Sequence, residues 1–221
     1  MRRVLRRAKR EVDALLGGEE PRGSLALTLG CLVVFGLAHG AMVGSYTGVW
    51  AGQPLQIVYS ALKLPLLLVV TFAVALPSFF VLNTLAGLRE DWPRVLRMLL
   101  ASQAALAVVV ASLGPLLLVA YASTEVYPPL VLLNAGLFLI ASVAAQGLLR
   151  RWYVPLVERD GRHRLLRFVW LVLYGFVGIQ AGYTLRPFIG SPGSEVTFFR
   201  QQAWQNAYVA VWRLLADSIG L

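Results

Sequence analysis

Side chains suited to chemistry are few in this chain, and most of them stand in strongly apolar stretches. The 221 residues include two histidines and one cysteine. His39 stands alone in an apolar run, and one histidine without carboxylates makes a poor metal or haem site. We interpret His39 as a hydrogen-bonded packing residue and His163, in a basic segment, as exposed. Cys31 excludes an internal disulfide and a cysteine metal cluster.

The common enzyme motifs are missing from the sequence. It contains no G-x-S-x-G nucleophile elbow, no G-x-x-x-x-G-K-[ST] phosphate loop and no H-E-x-x-H zinc motif. Ser191 lies in Gly-Ser-Pro-Gly, which is typical of a turn. We therefore expect a protein that is not an enzyme and that uses no cofactor and no metal. Arg186 and Arg200 are candidates for binding an anion, for which a lipid headgroup phosphate is the simplest partner.

A second group of polar side chains is predicted at membrane depth and forms a candidate polar path. Its members are Lys63, Asn83, Gln103, Asn134 and Gln180. Such amides either bridge helices by hydrogen bonds or line a polar route. Since the group contains no acidic residue, a proton relay built on carboxylates is not supported. For Lys63, snorkelling to the nearby membrane boundary is favoured over a buried functional charge.

Glycines at four-residue spacing are the clearest motif. The first apolar run carries Gly36, Gly40, Gly44 and Gly48, and the last carries Gly178 and Gly182. A helix face without side chains lets another backbone approach closely. We expect tight helix packing, either within the bundle or between protomers, and this is favoured over a ligand groove. Pairing of the two glycine-bearing helices with each other is left open.

The elements that must position these residues are membrane spans. Hydrophobic residues make up 58% of the chain, charged residues 14%, and the mean hydropathy is +0.68, whereas soluble domains have about 25% charged residues. A spanning helix needs about 20 apolar residues. The segments that satisfy this are 24–46, 65–88, 95–121, 130–149 and 165–185. Whether residues 55–64 extend the second span is left open, because Lys63 interrupts them.

The distribution of arginine and lysine predicts the orientation. The net charge is +9, and 16 of the 20 basic residues lie in the N-terminal segment or in the two loops that follow the second and fourth spans. With five spans these three segments share one side, and cytoplasmic loops carry such an excess. We expect an inside N-terminus, an outside C-terminus and anionic lipid as the partner of the basic residues. Nucleic acid is not expected as a partner.

Both ends of the chain have the pattern of amphipathic helices. Residues 1–23 place arginines opposite an apolar stripe, which favours a helix in the inner membrane interface over docking on a partner. Residues 186–221 begin with a turn sequence and continue with an aromatic stripe, which predicts a second helix at the outer interface. The predicted domains are therefore 1–23, the five-span region 24–185, and 186–221.

Two short segments resemble a family of multi-spanning bacterial inner-membrane proteins. They are Leu185-Arg186-Pro187-Phe188-Ile189-Gly190 and Leu76-Pro77-Ser78-Phe79-Phe80 with Asn83. The five-span topology is also similar to that of the Yip family, with no shared motif. Neither resemblance implies an activity.

The sequence thus predicts an all-α integral membrane protein. It has a five-helix transmembrane bundle and an amphipathic interfacial helix at each end, and it lies in the bacterial inner membrane. We expect a non-catalytic subunit or scaffold of a membrane complex, associated with a protein partner or with itself. The alternative is a small transporter or channel with a polar path between kinked helices.

Overall fold

The computed structural model describes residues 2–17, 21, 24–50, 52–124, 126–185, 188–190 and 196–199. Throughout this part of the chain the regular structure is helical. The helices are α1 (Arg2–Leu16), α2 (Leu25–Ser45), α3 (Pro54–Leu85), α4 (Trp92–Ser123), α5 (Tyr127–Arg159) and α6 (Arg162–Thr184). A π-helical turn, Tyr46–Trp50, extends α2, and a short 3₁₀ turn, Arg89–Asp91, precedes α4.

Five helices, α2 to α6, are long and apolar enough to cross a membrane. The predicted multi-pass, all-helical architecture is confirmed to this extent. The second span is longer than the expected 65–88, because α3 begins at Pro54 and contains Pro65 and Pro77 within the helix. Residues 55–64 therefore belong to it. Prolines also stand in the first turns of α4 and α5. A proline is tolerated there because backbone N–H groups of the first turn have no acceptor within the helix.

The spanning helices are arranged around the bundle in the order α2, α3, α6, α5, α4, and α4 closes the ring against α2. Helix α4 is the most enclosed, and residues 101–108 are all buried. Most of these residues are alanine or serine, which lets neighbouring backbones approach closely in a bilayer. Helices α5 and α6 expose large apolar side chains along most of their length, as expected for faces that meet lipid.

Two apolar clusters hold the ring together. In the larger one, the Trp170 ring of α6 packs edge-on against Phe72 and Phe79 of α3, with ring centroids 5.7 and 5.2 Å apart. In the smaller one, the Tyr46 and Tyr121 rings lie 5.1 Å apart. The Tyr121 hydroxyl donates a hydrogen bond to the Val43 carbonyl oxygen at 3.2 Å. These aromatic contacts join helices that are distant in sequence.

Helix α1 ends against the bundle itself. Leu15 is completely buried in the larger apolar cluster, where α1 contacts α4, and Val12 packs on the same cluster. The end of α1 thus packs on its own chain, a contact that was not predicted. The interfacial position of the rest of α1 stays a prediction. The predicted C-terminal helix, residues 201–221, lies outside the described residues.

Candidate functional site

The glycine face of α2 lies directly on α3. A methyl group at Gly40 would stand 2.7 Å from the Ala61 Cα and would overlap the Ser60 carbonyl oxygen. At Gly44 it would stand 2.7 Å from the Gln56 carbonyl oxygen. Real Cβ atoms do not approach backbone so closely, so only glycine permits this helix spacing.

The two ends of the same face are less confined. At Gly36 an added Cβ would stand 3.2 Å from the Pro65 Cβ. At Gly48 it would overlap the Ile57 side chain, whose Cδ1 lies 2.6 Å away, and would make only an ordinary backbone contact, at 3.6 Å from the Gln53 carbonyl oxygen. The close backbone approach is therefore centred on Gly40 and Gly44.

The glycines of α6 are in a different situation. An added Cβ at Gly178 would make only an ordinary contact, 3.5 Å from the Thr71 Cγ2. At Gly175 and Gly182 it would have no atom of the described chain within 4 Å. The glycine face of α2 meets α3 and not α6, so α6 carries a glycine face that the described residues leave open.

A polar cluster fastens the segment after α6 to the bundle. It lies at the end opposite two arginine-rich turns, residues 86–94 between α3 and α4 and residues 159–164 between α5 and α6. Thr47 donates a hydrogen bond to the Ile189 carbonyl oxygen at 2.7 Å. The Gln56 amide donates to the Phe188 carbonyl oxygen at 3.0 Å, and Ser60 donates to the same oxygen. All three side chains are buried. Since unpaired polar groups are costly at membrane depth, these contacts fix the position of residues 188–190.

Lys63 lies beside this polar cluster, buried beneath residues 196–199. Its Nζ donates to the Thr197 carbonyl oxygen at 3.2 Å and stands 5.3 Å from the centre of the Phe198 ring. The side chain is fully buried, so the expected snorkelling to the membrane boundary is not seen. This difference comes from the tertiary structure. Residues 196–199, more than 130 positions further along the chain, cover the place where the amine would otherwise reach water.

The other residues of the candidate polar path do not all come together. Gln103 of α4 accepts a hydrogen bond from the Tyr174 hydroxyl of α6 within the bundle. Asn83, near the end of α3, is buried, and neither of its amide atoms has a hydrogen-bond partner among the described residues. Asn134 of α5 lies on another side, beside His39 of α2. Gln180 is half-buried on α6.

His39 is buried between helices, beside the Val110 carbonyl and the Asn134 side chain. Within the described part of the chain, its Nδ1 and the Asn134 Oδ1 nonetheless have no partner in hydrogen-bond geometry. Within the described ranges, no three of the His, Cys, Asp and Glu side chains come close enough together to hold a metal ion.

His163 is completely buried, so the expectation that it is exposed is wrong. Its Nε2 lies 3.1 Å from the Asp91 carboxylate, which also binds Arg159 at 3.3 Å. Asp91 belongs to the turn before α4, whereas the other two residues flank the turn between α5 and α6. This pairing could not be predicted from the sequence, because 68 or more residues separate the partners.

A second contact joins the same two turns. Arg162 donates to the Ala86 carbonyl oxygen at 2.6 Å, at the end of α3. Its guanidinium and backbone N–H also bind Asp160 and hold the pKa of that exposed carboxyl at about 2, below its ordinary value near 3.8. The two arginine-rich turns therefore lie side by side at one end of the bundle.

Arg186 and Arg200, the candidate anion-binding residues, lie outside the described residues. Sequence reasoning missed the buried polar cluster of Thr47, Gln56 and Ser60. The only signal for it was the four-residue spacing of Gln56 and Ser60, which places both on one helix face. Comparison of the chain with known protein families, characterised sequences and solved structures gives no match.

Proposed function

We propose that this protein is a non-catalytic subunit or scaffold of a membrane complex, and that its α6 binds a transmembrane helix of a partner. The observation that carries the proposal is the open glycine face of α6. Gly175 and Gly182 stand seven residues apart and hence on one helix face. At both positions the described part of the chain leaves open space where a side chain would begin.

The contrast between α2 and α6 supports this assignment. The glycines of α2 are filled by α3 of the same chain, so their spacing serves the fold. The glycines of α6 contribute no close packing within the described chain. Helix α6 is also the least enclosed of the spanning helices. In a bilayer, where lipid is as apolar as leucine, small residues promote helix association by allowing close approach. A second copy of this chain is the other candidate occupant of this face.

The proposed location is the inner membrane of a bacterium, with the N-terminus in the cytoplasm and the C-terminus outside. The adjacent arginine-rich turns at one end of the bundle support this orientation. Arginine-rich loops stay on the cytoplasmic side of a membrane.

The test is purification of a tagged chain at native expression in mild detergent, followed by native mass spectrometry. We expect a stoichiometric complex for the unchanged chain and loss of at least nine-tenths of it for the double variant Gly175→Leu, Gly182→Leu. The thermal midpoint should not fall, since leucine favours helix and both positions are open.

The matched control is the double variant Gly136→Leu, Gly147→Leu on α5. These glycines also have no atom of the described chain within 4 Å of an added Cβ, but they lie on another helix. The complex should survive in this control. A complex that survives the α6 variant, or a chain that is monomeric at native expression, contradicts the proposal.

A second function, a small channel or transporter, is favoured by buried polar atoms that have no partner. They include the Thr71 hydroxyl and both amide atoms of Asn83, on α3, within the part of the chain described. Such groups are costly in an apolar interior unless water or a solute satisfies them. This alternative predicts ion currents through the purified protein in planar bilayers. Asn83→Leu should reduce them at least tenfold in a protein that still folds, whereas a current-free bilayer excludes the channel.

A further inference from the structure

Arg167 of α6 interacts electrostatically with other charged and polar side chains where α5 and α6 pack together at the arginine-rich end. Arg167 of α6 has Arg164, Arg150 of α5 and the Tyr153 hydroxyl as its electrostatic neighbours. Arg150 and Tyr153 are one helical turn apart, and so are Arg164 and Arg167, so each pair shares a helix face. The Tyr153 and His163 rings, 6.3 Å apart, hold the two helices together at this level.

These arginines have no anionic partner within the described part of the chain. Arg159 and Arg162, on the same two helices, bind Asp91 and Asp160 at 3.3 and 2.6 Å. Among the residues that the structure describes, the side chains of Arg150, Arg164 and Arg167 form no comparable ion pair or hydrogen bond. Grouped like charges repel one another, and the repulsion grows as the surroundings become less polar. An anion placed among them would remove that repulsion and receive bidentate hydrogen bonds.

The hydroxyl of Tyr153 is a second and independent sign of a missing ligand. Tyr153 is completely buried, and its hydroxyl has no hydrogen-bond partner among the described residues. Buried tyrosine hydroxyls are normally paired. An oxyanion held by Arg167 would provide an acceptor for this hydroxyl.

The position along the helices indicates where the anion comes from. Arg150 immediately follows the uncharged run 126–149, and Arg167 immediately precedes the uncharged run 168–185. Both arginines therefore stand where the apolar part of a span ends. That is the level at which lipid headgroup phosphates lie in a bilayer.

We propose that Arg150, Arg164 and Arg167, together with the Tyr153 hydroxyl, form a binding site for a phosphate group carried by an anionic membrane lipid. The three guanidinium groups bind the phosphate oxygens from the headgroup side. The hydroxyl donates to one of these oxygens from within the bundle. The site lies at the joint between α5 and α6, so an occupied site stabilises the contact between these helices.

The test compares lipid binding to the delipidated, full-length protein by native mass spectrometry. Phosphatidylglycerol and phosphatidylcholine with the same acyl chains are titrated in parallel. We expect at least tenfold tighter binding of phosphatidylglycerol, and at least a tenfold loss of that affinity in Arg167→Gln. The matched control is Arg151→Gln. It removes the same charge from the neighbouring position of α5, but Arg151 is not among the neighbours of Arg167, so its effect should be below twofold.

Two further variants keep the proposal open to contradiction. If Arg167→Gln does not fold, the variant Arg164→Gln takes its place, because Arg164 is exposed. We expect it to bind phosphatidylglycerol at least fivefold more weakly. Tyr153→Phe should also weaken phosphatidylglycerol binding several-fold, yet leave the lipid-free thermal midpoint unchanged or raised. A purely structural tyrosine would instead lower that midpoint, and this result would remove the hydroxyl from the site.

A separate arm titrates inorganic phosphate against the thermal midpoint. Phosphate could raise the midpoint of the unchanged protein but not that of Arg167→Gln, while the two lipids bind equally. This result would keep the phosphate site but show that its ligand is a soluble phosphate and not a lipid. Equal retention of the two lipids with no effect of phosphate would overturn the proposal. The proposal would also be overturned if Arg151→Gln lost as much phosphatidylglycerol affinity as Arg167→Gln. That result would show a general attraction between the basic residues and anionic lipid.

Discussion

Replacing Gly40 by alanine is expected to lower the free energy of unfolding by about 3 kcal/mol, at the upper end of overpacking costs. The new methyl group would meet the backbone of α3, at 2.7 Å from the Ala61 Cα, and a helix backbone cannot move aside as a flexible side chain can. Helices α2 and α3 would have to separate along their shared face. In a thermal scan of the detergent-solubilised protein, the midpoint should fall by about 6–12 °C.

Gly30→Ala is the matched control, in the same helix. An added Cβ at Gly30 has no atom of the described chain within 4 Å, so only helix propensity changes, and alanine is favoured over glycine by about 1 kcal/mol. The midpoint should therefore stay constant or rise. If Gly40→Ala behaves as Gly30→Ala does, the α2–α3 spacing is not set by this glycine.

Replacing Gly190 by alanine is expected to release the segment that covers the polar cluster of Thr47, Gln56 and Ser60. Gly190 has a φ of +79°, where an L side chain costs about 1–2 kcal/mol. Its Cβ would also stand 2.6 Å from the Thr47 Oγ1 and 3.1 Å from the Gln56 Cδ. Both residues hold the segment by hydrogen bonds to its carbonyl oxygens. Hydrogen exchange in the peptide covering residues 185–199 should rise at least tenfold.

Gly52→Ala is the matched control, which separates the effect of backbone strain from the effect of close contact with neighbouring side chains. Gly52 also has a positive φ, +68°, but an added Cβ there has no atom of the described chain within 4 Å. It should therefore cost stability through strain alone, with unchanged exchange in residues 185–199. Equal exchange in the two variants would show that the contacts of Gly190 do not hold the segment in place.

The number and approximate position of the spanning helices follow from local properties of the sequence. A run of about 20 apolar residues must form a helix in a bilayer, because no water is present to satisfy its backbone. The predicted ends of a span were less accurate where a charged residue interrupted the apolar run. Lys63 shortened the second predicted span, whereas α3 in the structure begins at Pro54.

The partners of individual residues did not follow from the sequence. His163 stands among arginines in the chain, yet it is buried against Asp91. The glycine motifs of α2 and α6 look alike in sequence, but α3 packs on the first, whereas no described residue packs closely on the second. Spacing shows which residues share a helix face, but it does not show what that face meets.

The sequence by itself therefore determined the helical class, the five spans and the clustering of arginine in three segments. These properties depend on the composition of contiguous segments and on the requirement that backbone groups be paired inside a membrane. Only the tertiary structure decided that α3 fills the glycine face of α2, that residues 196–199 cover Lys63, and that Arg150 interacts electrostatically with Arg167. Such contacts join residues on different helices, and their formation depends on the packing of the whole bundle.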